Sequence, residues 1–202
     1  LEKAGEIRTL EDQAMLTTLY TEKSIEFIEN NKDKPFFLYL PHSMPHVPIA
    51  VSEKFLGKSK QGLYGDLMME LDWSVGEVIK TLKKNNILDN TLIIFTSDNG
   101  PWLNFGNHAG STGGLREGKG TSFEGGQRVP TVMMWPDVIP QGKIANQLSS
   151  TIDLLPTITN IVDGTLPQHK IDGIDIIEIL EGKESEPRDH FLYYYGNNNL
   201  EA

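Results

Sequence analysis

The chain reads as an α/β domain built on a strand, helix, strand unit, and three stretches predict it. Phe36-Phe37-Leu38-Tyr39-Leu40 and Thr91-Leu92-Ile93-Ile94-Phe95-Thr96-Ser97 are short apolar runs, the pattern of strands covered on both faces. Between them Leu63, Leu67, Leu71, Val75, Val78, Ile79 and Leu82 recur every three or four residues, while Asp66, Glu70, Glu77, Lys80 and Lys83 fill other faces, which predicts a long amphipathic helix. A crossover of this kind makes the two strands parallel with a right-handed connection. The loop after Leu40 and the turn after Ser97 then open at the same edge of the sheet.

The flanking elements follow from the same signals. Leu10, Ala14, Thr17-Thr18, Ile25 and Ile28, with Glu and Lys between them, predict a helix over about residues 9–30, which Pro35 prevents from continuing. Asn85-Asn86 is a stop for the central helix. Residues 104–126 are dense in glycine and too long for an idle connector. Residues 129–135 read as another buried strand and 153–162 as a helix with Pro156 in its first turn. Residues 174–180 read as a shorter helix and 191–195 as a final strand. There is no internal repeat, low-complexity segment or obvious interdomain linker.

Bulk properties exclude several classes. The 202 residues, 38% hydrophobic and 23% charged, suffice for one sizeable core. A net charge of -10 disfavours nonspecific binding to nucleic acid or to an anionic membrane. Without Cys there is no disulfide framework, thiolate metal site or thiol nucleophile in these residues. No apolar run is long enough to span a bilayer. The chain starts without Met in a polar, helix-like stretch, and is expected to be a fragment or a processed product of something longer.

Four residues stand out chemically. Asp98-Asn99-Gly100-Pro101 closes the second strand with two oxygen-bearing side chains and a sharp turn. All four residue types are turn formers, yet a carboxylate beside a carboxamide at the carboxyl end of a strand also offers hard donors suited to Ca²⁺ or, less so, Mg²⁺. Two ligands do not complete such a shell. His46 lies in Pro41-His42-Ser43-Met44-Pro45-His46-Val47-Pro48, where prolines limit the backbone. It is either an idle loop imidazole or a proton donor to an anion. Lys119 lies in Gly118-Lys119-Gly120, where small neighbours leave the ammonium unobstructed. Residues 106–128 hold three cations (Arg116, Lys119, Arg128) against two anions (Glu117, Glu124), a local excess of positive charge that suits an anionic substrate. The spacing is not that of a phosphate-cradling P-loop. Arg128 reads as a structural clamp to a carboxylate. Trp102, Phe105 and Trp135 read as packing groups, with Trp102 and Phe105 near enough to the presumed metal to line a pocket.

The order Phe95-Thr96-Ser97-Asp98-Asn99-Gly100-Pro101, then Gly114-Leu115-Arg116-Glu117-Gly118-Lys119-Gly120-Thr121-Ser122-Phe123-Glu124-Gly125-Gly126-Gln127-Arg128-Val129-Pro130, then Trp135-Pro136, then Asp153-Leu154-Leu155-Pro156-Thr157, resembles the C-terminal part of the catalytic domain of the type I sulfatases, nearest arylsulfatase A and N-acetylgalactosamine-6-sulfatase. The resemblance spans about residues 36–180. It implies an alkaline-phosphatase-like fold with a mixed, mainly parallel sheet between helices, incomplete here. Residues 1–185 would be the C-terminal portion of the catalytic domain and 186–202 the start of a smaller region. The implied activity is hydrolysis of a sulfate ester at a Ca²⁺ site, on a sulfated small molecule or glycan. Asp98 and Asn99 would be metal ligands, Lys119 would bind the sulfate, and His46 would contact the sulfate or the leaving oxygen.

The departures are as informative. The family's nucleophile is a formylglycine made from Cys or Ser in a Cys/Ser-x-Pro-x-Arg motif, and in this chain Ser43-Met44-Pro45 has Val47 where the Arg should stand. The N-terminal pair of metal-binding aspartates and the family's other Lys and His are also missing. The chain alone is therefore expected to be inactive, to bind Ca²⁺ weakly and to self-associate through an exposed sheet edge. The family habit points to periplasm, exterior or lysosome, although nothing in the chain is an address. Two other readings remain: a noncatalytic binding domain on the same scaffold, and a phosphoesterase of the wider superfamily. The latter is disfavoured because such sites place Asp-His-Gly where this chain has Asp98-Asn99-Gly100.

Overall fold

Thr9 opens the first helix with a reciprocal cap: its hydroxyl accepts from Asp12 N (3.1 Å) and its N–H donates to Asp12 Oδ2 (3.0 Å). The computed structural model describes residues 9–195 and 199–200. The helix expected over 9–30 is present in two pieces, α1 (Leu10–Ala14) and α2 (Leu16–Asn31), divided at Met15, whose N–H turns back to Asp12 O at 3.3 Å. The central helix α3 runs Gly62–Lys84 and stops at Asn85, with Asn86 in the left-handed region (φ 57°). The chain divides into two compact units, residues 1–88 with 97–129, and residues 89–96 with 130–202.

In the first unit α2 packs on α3, and a core of Met44, Ile49, Ala50, Leu67 and Leu71 forms beside this pair. Leu67 is fully buried, so truncation to Ala would cost about 2–5 kcal/mol. The core also sets the loop that carries His46. Met44 and Ile49 are buried on either side of an exposed His46, so the loop is pinned at both ends with the imidazole at its crest. The peptide bonds Met44–Pro45 and Val47–Pro48 are cis.

Periodicity assigns Glu70 to a solvent face and Thr17 to an apolar one; the structure corrects the first. Glu70 is fully buried in a polar seam between α2 and α3. Its Oε1 accepts from Thr18 Oγ1 (3.1 Å) and its Oε2 from Ser52 N (3.0 Å). One turn on, Ser74 Oγ lies 2.6 Å from Thr21 Oγ1 and 3.3 Å from His42 Nε2. Thr21 in turn donates to Thr17 O (2.7 Å). A buried carboxylate is tolerated here because both oxygens are hydrogen-bonded. Asp66, also assigned to an outer face, is buried as well; its carboxylate accepts from Gly57 N (2.8 Å) and Ser59 N (2.6 Å) and so caps the turn before α3.

The expected strand at 36–40 is a further correction. No ladder includes it among the described residues, and its exposure alternates, with Phe37 and Tyr39 exposed by 69% and 76%. One face is covered: Phe36 stands edge-on to Phe27 of α2 at 5.8 Å between ring centroids. An apolar run needs cover on both sides to behave as a buried strand, and α2 supplies one.

In the second unit β1 (Ile93–Thr96) pairs antiparallel with β2 (Thr131–Met134), Ile93 opposite Met134 and Thr96 opposite Thr131. The parallel partnership expected between 36–40 and 91–97 is thus replaced by an antiparallel one. Val132 is 65% exposed, so β2 is not the buried strand that its composition suggests. α5 (Leu154–Ile161) begins as predicted with Pro156 in its first turn. Asp153, fully buried before it, accepts from Ser150 N (2.7 Å), Ile174 N (3.0 Å) and Arg188 Nη2 (2.5 Å). The expected helix over 174–180 shortens to α6 (Ile177–Leu180), because Ile174 and Ile176 give their N–H groups to Asp153 and Thr157 while Asp175 Oδ1 caps Ile177. The final strand expected at 191–195 is a two-residue β3 (Tyr194–Tyr195) paired with β4 (Asn199–Leu200).

The glycine-dense segment 104–126 contains a 3₁₀ stretch at Leu103–His108 and, at its end, the single turn α4 (Glu124–Gln127). Here three lengths of backbone meet without side chains between them. Gly100 N donates to Gly126 O (2.9 Å), Lys119 N to Pro101 O (2.9 Å) and Gly125 N to Arg116 O (2.8 Å). A Cβ on Gly100 would fall well inside 3.0 Å of Gly125 O, one on Gly118 inside that distance of Pro101 O, and one on Gly125 inside it of Glu117 O.

Gly100→Ala should therefore destabilise the chain by about 2–4 kcal/mol and loosen the turn at Asp98, since backbone must move to admit the methyl. Gly76→Ala, inside α3 with open space around it, should stabilise by about 1 kcal/mol; urea midpoints of the two variants check both signs.

His42 supplies a pH dependence. Burial lowers its pKa from the ordinary 6.5, against a smaller opposing pull from Glu70, so the fold holds the neutral ring. The unfolded chain then binds the extra proton first. Stability is complete above about pH 6.5 and declines as pH falls from there towards the depressed native value. In urea melts at successive pH values, His42→Gln should flatten that decline; an unchanged slope would show that other groups cause it.

Candidate active site

Asp98 and Asn99 sit where β1 has just ended, Asp98 exposed and Asn99 half-buried. The turn is held by Ser97 Oγ donating to Asn99 O (3.0 Å) and by the bond from Gly100 N to Gly126 O. Their tie to Lys119 runs through the main chain, since Pro101 O receives Lys119 N. The Lys119 loop is braced on its other side by Thr121 Oγ1 donating to Gly118 O (3.0 Å) and Gln127 Nε2 donating to Thr121 O (2.7 Å). Glu117 accepts a left-handed backbone (φ 57°) just before it, a local strain concentrated at this loop.

The side chains of His46 and Lys119 converge on one ring. Lys119 Nζ stands 5.6 Å from the centroid of Trp102, within cation–π range. The His46 ring is 6.3 Å from the same indole. Trp102 also meets Phe105 edge-on at 4.8 Å. Sequence reasoning treated Trp102 as packing or pocket lining; its position two residues after Asn99-Gly100 was the available signal for a more central place. The loop's other cations have acidic partners: Arg116 Nε is 3.7 Å from Glu117 Oε1, and Arg128 Nη1 is 3.1 Å from Glu124 Oε2, the clamp expected of it. Lys119 belongs to neither pair.

His46 Nδ1 lies 2.7 Å from Val47 O. A carbonyl only accepts, so that nitrogen carries the proton, and Nε2 is the nitrogen left for a ligand. In its imidazolium form the ring donates from Nε2; in its neutral form it accepts there.

A hard cation was the other expectation. The carboxylate of Asp98 and the carboxamide of Asn99 are donors of the right kind for it, but not of sufficient number. Among the described residues no group of three or more His, Cys, Asp or Glu could hold a metal ion. By donor type Asp98 and Asn99 would fit part of a coordination shell and by number not the whole of one.

Beside the aromatic pair lies a cavity of about 480 Å³, bordered by Val47, Ile49, Leu63, Trp102, Phe105 and His108. Trp102 thus belongs both to the polar meeting point and to an apolar hollow. No helix among the described residues is long and apolar enough to cross a membrane.

The comparisons with known proteins converge. The sulfatase family model matches residues 3–164. Human steryl-sulfatase is 37% identical over 193 residues, covering 93% of this chain and 33% of the relative. N-acetylgalactosamine-6-sulfatase of Canis lupus familiaris is 38% identical over 194 residues, covering 94% of this chain and 37% of the relative. Among solved structures, the PsFucS1 sulfatase from Pseudoalteromonas sp. superposes with a TM-score of 0.85 at 33% identity, covering 95% of this chain and 39% of that one. The chain spans about a third of the length of the curated relatives it matches. Its fold is the mixed α/β, alkaline-phosphatase-like fold of those structural neighbours. By its motifs, its fold and these likenesses, the chain belongs to the sulfatase family.

Proposed function

We propose that this chain forms part of a hydrolase of sulfate esters, contributing Lys119 and His46 to the reacting centre and Asp98 and Asn99 to a divalent cation site, Ca²⁺ in preference to Mg²⁺. The observation that carries the reading is the shared ring: the ammonium of Lys119 and the imidazole of His46 both approach Trp102, beside a turn locked to the Lys119 loop by backbone hydrogen bonds. A dianionic transition state needs positive charge aimed at its oxygens and a proton for the departing alkoxide. Lys119 supplies the first. His46, held through Nδ1 by Val47 O, supplies the second from Nε2 in its imidazolium form as the S–O bond breaks, and is left neutral with its remaining proton on Nδ1. A bound divalent cation adds Lewis-acid withdrawal of charge from the sulfate oxygens.

The nucleophile, in this reading a formylglycine, comes from outside these 202 residues, which contain no Cys. Sulfated small molecules and sulfated glycans are the substrate class. A neighbouring structure at 32% identity, described as in complex with k-i-k-neocarrahexaose, fits the glycan half of that range.

In the whole protein, Lys119→Ala should lower kcat/KM for an aryl sulfate by about 10²–10³-fold. His46→Ala should slow esters of poor leaving alcohols more than those of nitrophenols, because a good leaving group needs less help from a proton. Equal loss on both would remove His46 from the leaving-group role.

The 202-residue chain by itself should give no turnover of 4-nitrophenyl sulfate and should bind Ca²⁺ with a Kd of about 1 mM or weaker. Turnover by purified chain would contradict the missing-nucleophile reading. Exposed Phe37, Tyr39 and Val132 support self-association of this chain, which light scattering should report as a mass above 22.6 kDa.

A further inference from the structure

The cavity beside Trp102 is not used by the sulfate chemistry. Its lining is mainly apolar: Val47, Ile49 and Leu63 form its aliphatic side, Trp102 and Phe105 its aromatic side, and the Trp102 indole N–H and the His108 imidazole are the polar ring groups among these. Its size, about 480 Å³, lies in the range of small-molecule sites. Phe105 and Trp102 stay 44% and 42% exposed, so their ring surfaces are open rather than packed away. Most telling is continuity: the indole that borders the cavity is the one that Lys119 and His46 approach, and Val47, whose carbonyl orients His46, borders it as well. A molecule with its charged end at Lys119 and His46 would place its other end against Phe105 and Ile49.

We infer that this cavity takes the alcohol portion of the ester, and that the alcohol is an apolar ring system, an aryl or fused-ring alcohol, rather than a sugar. The inference rests on the sulfate-ester reading above. A sugar brings several hydroxyls that must keep hydrogen bonds when they leave water, and a wall of Val, Ile, Leu and Phe provides none. A flat apolar ring loses nothing of this kind, buries area against Val47, Ile49 and Leu63, and stacks against Trp102 or Phe105. Phe105 is then the specificity-determining residue, since it is exposed, borders the cavity and meets Trp102 edge-on.

The test uses the 202-residue chain and the Trp102 indole N–H resonance, titrated with 2-naphthol, 2-naphthyl sulfate and glucosamine 6-sulfate. Neutral 2-naphthol should shift that resonance. Phe105→Ala should weaken the effect by about tenfold or more, while Phe105→Tyr retains it. 2-Naphthyl sulfate should bind more tightly than 2-naphthol, an advantage that Lys119→Ala removes without changing 2-naphthol binding. Glucosamine 6-sulfate should bind about tenfold or more weakly than 2-naphthyl sulfate. The cavity assignment is overturned if 2-naphthol leaves Trp102 unmoved, if Phe105→Ala binds it as well as the parent, or if the sugar sulfate equals the aryl sulfate. Should 2-naphthol bind normally while the sulfate group adds nothing and Lys119→Ala is silent, it is the sulfate-ester reading that falls.

Discussion

Three backbone segments come into contact at Gly100, Gly118 and Gly125, and the arrangement of the site depends on that contact. Main chain can approach main chain this closely only where no Cβ intervenes. The consequence is a turn at Asp98-Asn99 held to the Lys119 loop by two hydrogen bonds between peptide groups, independent of any side chain that does chemistry. Such a frame leaves Asp98, Asn99 and Lys119 free to be chosen for charge and donor type. It also explains why the Lys119 loop can be so rich in glycine and still hold its shape: conformational freedom that glycine adds to the unfolded chain is removed by bonds on both sides of Lys119.

The second support is the pair α2 and α3, whose interface is unusually polar. Glu70, Ser74, Thr21 and His42 occupy positions that aliphatic residues normally fill. Each hydrogen bond is modest in net terms, about 1 kcal/mol. The penalty for leaving Glu70 without its partners is larger, so the seam fixes one register of the helices more firmly than it adds stability. That register carries Leu67 and Leu71 to the core against which Met44 and Ile49 lock the His46 loop. The position of an exposed imidazole is thereby traced to Leu67 and Leu71, buried residues of α3.

How much of this was legible in the residues differs by the type of signal. The long helix was plain from its apolar spacing, and its stop from Asn85-Asn86. Asp98-Asn99-Gly100-Pro101 and Gly118-Lys119-Gly120 stood out because turn formers and small residues leave a local trace, and the order of motifs pointed to the family. What spacing could not convey was burial of polar groups. Glu70 looks like a surface residue until its partners, Thr18 at 52 positions distant and Ser52 at 18, are brought to it by the fold. The run at 36–40 shows the converse. Composition records that side chains are apolar, whereas strand formation needs a neighbouring backbone, and among the described residues none is paired with it. The antiparallel choice of β1 for β2 likewise depends on segments far apart in the chain.

The account stands or falls on whether the glycine contact is a single cooperative structure. Amide hydrogen exchange read by NMR addresses it directly, because Gly100, Lys119 and Gly125 each donate one of the bonds that close it. The account predicts that these three amides are protected and open together, with one common free energy under increasing denaturant. Exchange at the rate of an unstructured loop for Lys119, while Gly100 stays protected, would mean that the Lys119 loop is not joined to the turn, and the site as described would not exist.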